Sequence, residues 1–143
     1  MRKRFENPRN FGWAWLGLCA AFGVHVFDEA ATGFLDIYNP AVERIRESYP
    51  FIPLPTFTFG VWLGLLIFAV AVLSALSPLA FRGRWGMIPL AYAFAVIMML
   101  NGLGHIAWSV YLGEWLPGVY SSPLLLGASG FLLVQLGRRR RSA

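Results

Sequence analysis

Apolar residues run along this chain in four long blocks, and polar residues collect between them. Residues 11–35, 56–81, 87–112 and 118–137 are each long enough to cross a hydrocarbon core of about 30 Å, which takes about 20 helical residues. The blocks are continuous rather than alternating, which excludes barrel strands. Backbone polar groups in lipid must be paired within their own segment, so each block is expected to be a helix. The expected fold class is all-α: an integral membrane four-helix bundle.

One sizeable loop interrupts this pattern. Residues 36–55 contain Pro40, Pro50, Pro53 and Pro55, and residues 41–49 read as a short helix opening after Asn39-Pro40. Val42 and Ile45 lie near one side of that helix, with Glu43 and Glu47 on another, so it is expected at the membrane surface, capping the bundle.

Charge orients the blocks. Of twelve Lys and Arg, only Arg44 and Arg46 fall in the loop after the first block. The rest sit before the first block (Arg2, Lys3, Arg4, Arg9), between the second and third (Arg82, Arg84) and after the fourth (residues 138–141). Cytoplasmic loops retain positive charge, so both termini are expected inside, N-in and C-in. The chain then divides into a basic cytoplasmic tail (1–10), a four-span membrane domain (11–137) and an arginine-rich cytoplasmic tail (138–143). A basic start before an apolar run also resembles a signal peptide. The first block is longer than a leader's apolar region, however, and carries His25, Asp28 and Glu29, so it is expected to be a retained span.

Composition narrows the class. At 57% hydrophobic and 13% charged, with a mean hydropathy of +0.58, the chain lies outside soluble globular norms. A net charge of +5 raises nucleic acid as a partner, but the cations flank spans and no soluble domain presents them, so no nucleic acid is expected. The single cysteine, Cys19, has no second thiol for a disulfide and is expected to pack in a helix. Trp13, Trp15, Trp62, Trp85 and Trp115 stand near span ends and suit the interfacial aromatic belt. Gly17, Gly23, Gly64, Gly102, Gly104, Gly127 and Gly130 are expected to allow close helix contacts.

Candidate chemistry is confined to two blocks. His25, Asp28 and Glu29, spaced by three and four residues, are expected along one face of the first span. Asn101 and His105, spaced by four, share a face of the third. Ionisable groups inside spans face a bundle interior, so both faces should point inward. Counted from the cytoplasmic ends, His25 and Asn101 each lie about 21 Å in, and Glu29 and His105 about 27 Å, at 1.5 Å per residue. The polar faces therefore match in depth, in the outer half of the bilayer, and Tyr120, Ser121 and Ser122 enter at a similar level. Imidazole and carboxylate from facing helices hold zinc, iron or manganese, which makes His25, Asp28, Glu29 and His105 candidate ligands of a divalent metal. The same groups suit a proton relay, general acid–base work or a structural hydrogen-bond network.

These residues resemble a family of small membrane proteins named for an HxxEE motif. In that family a first-span His-x-x-Glu-Glu is followed by a third-span Asn and His and then by Pro-Gly. The matching elements are His25-Val26-Phe27-Asp28-Glu29, Asn101-Gly102-Leu103-Gly104-His105 and Pro117-Gly118, with Asp28 one methylene shorter than the family's Glu. The resemblance implies the topology and the motif positions, with enzymatic activity suggested only by the polar residues. A looser likeness, by residue types alone, is to membrane sterol isomerases.

The function expected from the residues is a membrane enzyme acting on a lipid or other apolar small molecule. His25, Asp28, Glu29, Asn101 and His105 form its catalytic set, either metal-dependent or working by acid–base chemistry. The alternatives are a small proton-coupled transporter and a non-catalytic membrane subunit with a structural polar cluster. Membrane lipids are the expected partners, with homo-oligomerisation open, and a bacterial plasma membrane is the expected location.

Overall fold

The computed structural model describes residues 3–5 and 7–141. It is helical: α1 spans Pro8–Ala31, α2 Phe34–Ser48, α3 Phe59–Ala75, α4 Ser77–Phe81, α5 Met87–Leu112 and α6 Ser122–Gly137. Three helical stretches, Pro8–Ala31, Phe59–Phe81 and Met87–Leu112, are long and apolar enough to cross a membrane, while Ser122–Gly137 is shorter. At 16 residues, α6 is about 24 Å long. Beyond the helices, the backbone of Lys3–Phe5 pairs antiparallel with Arg139–Arg141, which brings the two ends of the chain together.

Helix α1 is the hub. It packs against α6, α3 and α4, while α5 packs mainly on α6. Of the most apolar window of α1, 56% is buried in the protein, against 6% for the stretch formed by α3 and α4, so α1 is wrapped by protein and α3 is left facing outward. The core gathers Phe11, Trp15, Leu18 and Phe22 of α1 with Phe94 of α5 and Leu132 of α6. In a bilayer, where lipid tails are as apolar as these side chains, cohesion of such a core would rest on dispersion and shape rather than on escape from water. Trp15 shows how: it is fully buried, meets Phe94 edge-on at 5.4 Å, and donates its indole N–H to the Leu73 carbonyl at 3.0 Å.

Several expectations are corrected. Trp15 and Trp62 are buried at 0% and 7% exposure, in protein rather than in an interfacial belt, whereas Trp13, Trp85 and Trp115 are exposed. Among the glycines expected at close contacts, only Gly102 is tight: an added Cβ would lie 3.3 Å from the Ser122 carbonyl and 3.2 Å from Leu126. Gly17, Gly64, Gly104 and Gly127 have nothing within 4 Å of that position.

The first helix does not run through to Leu35. It stops at Ala31, the Thr32 N–H and hydroxyl both donate to the Asp28 carbonyl, and Gly33 takes φ +79°, a left-handed turn that glycine adopts without strain. The helix expected in the loop therefore begins at Phe34 rather than at Ala41, with Pro40 in its interior. The proline removes one helical N–H, and neighbouring side chains tie this stretch elsewhere. Asn39 makes two hydrogen bonds to the backbone of Phe57, at 2.9 and 3.0 Å, and the Tyr38 hydroxyl donates to the Pro55 carbonyl. These bonds hold the extended approach to α3 along α2.

Candidate metal centre

His25 and Glu29 lie one turn apart near the end of α1, and both are buried. His105 projects toward them from α5. Its Nε2 is 3.0 Å from Glu29 Oε1, and His25 Nε2 is 3.6 Å from the same oxygen. The imidazoles meet edge-to-face with ring centres 4.9 Å apart. One donor atom from each of the three residues falls within a common span of 4.8 Å.

Asp28 does not join them, which corrects its expected place on the same face as Glu29 and as a fourth ligand. Consecutive helical residues point about 100° apart, so Asp28 turns toward α6 while Glu29 turns toward α5. Its Oδ2 accepts the Ser121 backbone N–H at 2.9 Å and the Ser121 hydroxyl at 2.7 Å. Ser121 is the N-cap of α6, so Asp28 supplies from another helix the negative charge that a helix N-terminus favours.

This contact constrains His25. With Asp28 ionised, the Ser121 hydroxyl donates to it and its oxygen accepts from His25 Nδ1, 2.8 Å away. A neutral imidazole in that arrangement carries a bare lone pair on Nε2. That nitrogen is buried, on a residue 1% exposed, and has no hydrogen-bond partner. An orphaned acceptor directed at a carboxylate oxygen and beside a second imidazole is a costly arrangement without a cation. The donors therefore fit a metal: two imidazoles and one carboxylate make up the three-ligand set typical of catalytic zinc, with a further position open. His25 to Ser121 to Asp28 is the outer-shell chain that orients such ligands.

The α5–α6 connection supplies the wall behind His105. Gly113 ends α5 at φ +69°, Ser109 Oγ accepts the Leu116 N–H at 3.1 Å, and Gly118 follows at φ +82°. A Cβ on Gly118 would lie 2.7 Å from His105 Cε1, so the backbone must be bare for the ring to lie against it. The Ser122 hydroxyl donates to the Gly118 carbonyl at 2.7 Å and holds the turn. On the other side Phe34, the first residue of α2, lies 5.8 Å from the His105 ring and stacks on Trp62 at 5.7 Å.

Asn101 is one turn before His105 on α5, and the cluster of three donor atoms does not include it. With His105 it lines a cavity of about 770 Å³ bounded by α2, α5 and the α5–α6 connection, and its buried Oδ1 has no hydrogen-bond partner. Ser121 and Phe34 are the participants that sequence reasoning did not assign. The hydroxyl at the start of the fourth block was visible, but its partner lies 93 residues away. Hydropathy alone runs through the Thr32-Gly33 stop signal that positions Phe34.

No curated protein and no solved structure matches this chain. Residues 15–132 match the family described as "Protein of unknown function with HXXEE motif", a stretch holding His25, Asp28, Glu29, Asn101, His105 and Pro117-Gly118. That match covers well over half of the chain, and the protein belongs to the HXXEE family.

Proposed function

We propose that this chain is a four-span membrane enzyme in which His25, Glu29 and His105 hold a divalent metal and act on a lipid or other apolar small molecule. The observation that carries the reading is the buried Nε2 of His25, without a hydrogen-bond partner and clustered with Glu29 and His105 while Nδ1 meets Ser121. Zinc, iron and manganese all accept such a donor set. When bound there, the ion supplies Lewis-acid polarisation of a substrate oxygen.

The chain's own residues do the rest. His105, whose side chain is 12% exposed, is the ligand shared with the cavity, so substrate approaches on that side. Asn101 offers its amide in the same cavity to hold a polar group of the substrate. Phe34 and Trp62 cover the centre from the side of α2 and exclude water. The orientation is N-in and C-in, for which the arginine distribution and the pairing of the two chain ends are the support. With that orientation the centre lies in the outer half of the bilayer, with α6 and the turn before it as the fourth span; a bacterial plasma membrane is the location this reading takes, and the arginine asymmetry is its support.

A test uses metal-loaded protein in nanodiscs of bacterial total lipid extract, with lipids profiled by mass spectrometry against His105→Ala. Loss of one lipid species and gain of another, with the native protein only, is the expected result. An unchanged lipid pool with substrate-dependent proton flux in proteoliposomes would instead support a proton-coupled transporter.

A further inference from the structure

The cavity beside His105 has a charge pattern that the metal reading does not use. Five charged residues lie on α2: Asp36, Glu43, Arg44, Arg46 and Glu47. Only Arg44 lines the cavity, on a face shared with Ile37, Tyr38, Ala41 and Ile45, whose spacing is that of one helical stripe. No carboxylate belongs to the cavity wall. Arg44 donates through Nε to the Pro40 carbonyl at 3.3 Å and makes no ion pair among the described residues, so its two terminal nitrogens remain available to a ligand.

The opposite wall is apolar and faces outward. Leu100, Gly104, Trp108 and Leu112 follow one another at intervals of four along α5, all exposed, in the stripe beside Asn101 and His105. On a helix that crosses a membrane, an exposed apolar stripe faces lipid, so the cavity opens sideways into the bilayer. Its volume, about 770 Å³, lies within the range of small-molecule sites, roughly 300–1,000 Å³.

We propose that this cavity takes an amphiphile with an anionic head, phosphate or carboxylate, the head held by Arg44 and the apolar chain lying along the α5 stripe. The inference rests on the membrane-enzyme reading and names its substrate class. A cation in the wall of an apolar groove, with no competing acid there, selects a negative head over a neutral one.

The test uses full-length protein in phosphatidylcholine nanodiscs and three diazirine probes with the same 16-carbon chain: a carboxylate, an alkyl phosphate and an alcohol. Cross-links are mapped by mass spectrometry. At least one anionic probe is expected to label the α5 stripe about tenfold more than the alcohol, and the stronger of the two identifies the head. Arg44→Gln should bring that probe down to the alcohol's level and Arg44→Lys should restore part of it, while Glu47→Gln, on another face of α2, should leave it unchanged. Equal labelling by all three probes, or anionic labelling that survives Arg44→Gln, would overturn the proposal. Arg44 is exposed and outside the metal cluster, so metal content measured on the same variants separates failure of this inference from failure of the metal reading.

Discussion

At the residue scale, His25 is set by its neighbours three and four positions on. Glu29 faces its Nε2, and Asp28 reaches its Nδ1 through Ser121. Removing the Ser121 hydroxyl leaves Nδ1 without its acceptor and frees the tautomer, while leaving all three ligands in place. Outer-shell partners of this kind are worth about 10–100-fold in metal affinity. Ser121→Ala is therefore expected to weaken zinc binding by about that factor in a chelator-competition titration, with helicity unchanged, and Ser121→Thr to bind close to wild type. His25, Glu29 and His105 were legible in the sequence because helical spacing and span depth place them. Asp28 was not, since its role depends on a partner contributed by α6 and on a 100° turn that a shared-face reading ignores.

At the element scale, helix existence was largely legible and helix ends were not. The third block and α5 have the same bounds, residues 87–112, because a continuous apolar run stops there at Gly113, in left-handed conformation. The first block was overrun by four residues, since Gly33 sits between apolar stretches that hydropathy alone joins. The outer helix was begun too late because Asn39-Pro40 also reads as a helix start, whereas here Asn39 is engaged with Phe57 and the helix continues across the proline. Tryptophan placement failed for a related reason: closeness to a span end does not say whether a side chain turns to lipid or to a neighbouring helix. The elements also carry the proposed sidedness. Cys19, the single cysteine, is buried, so introduced thiols report alone. Glu47→Cys on α2 is expected to react with a membrane-impermeant maleimide in intact cells, and Arg84→Cys, between α4 and α5, only after lysis. The reverse pattern would invert the orientation and put the centre in the inner half of the bilayer.

At the scale of the whole molecule, the site exists because separate helices deliver matched depths. Glu29 and His105, counted to the same level from the starts of their spans, do meet at 3.0 Å. That coincidence could be read from the sequence because a helix converts residue number into height. Lateral placement could not: α1 as the hub, α6 packed on both α1 and α5, and the bare Gly118 backbone against His105 are products of packing. Together they support one proposal, that the buried cluster is a metal centre. Its most direct test is metal content by mass spectrometry on detergent-purified protein, wild type beside His25→Ala and His105→Ala, with circular dichroism to establish that each is folded. About one ion per chain in wild type, lost in both folded variants, is the predicted result. Metal-free wild type that stays so after incubation with zinc, iron and manganese, or metal retained in both variants, would contradict it.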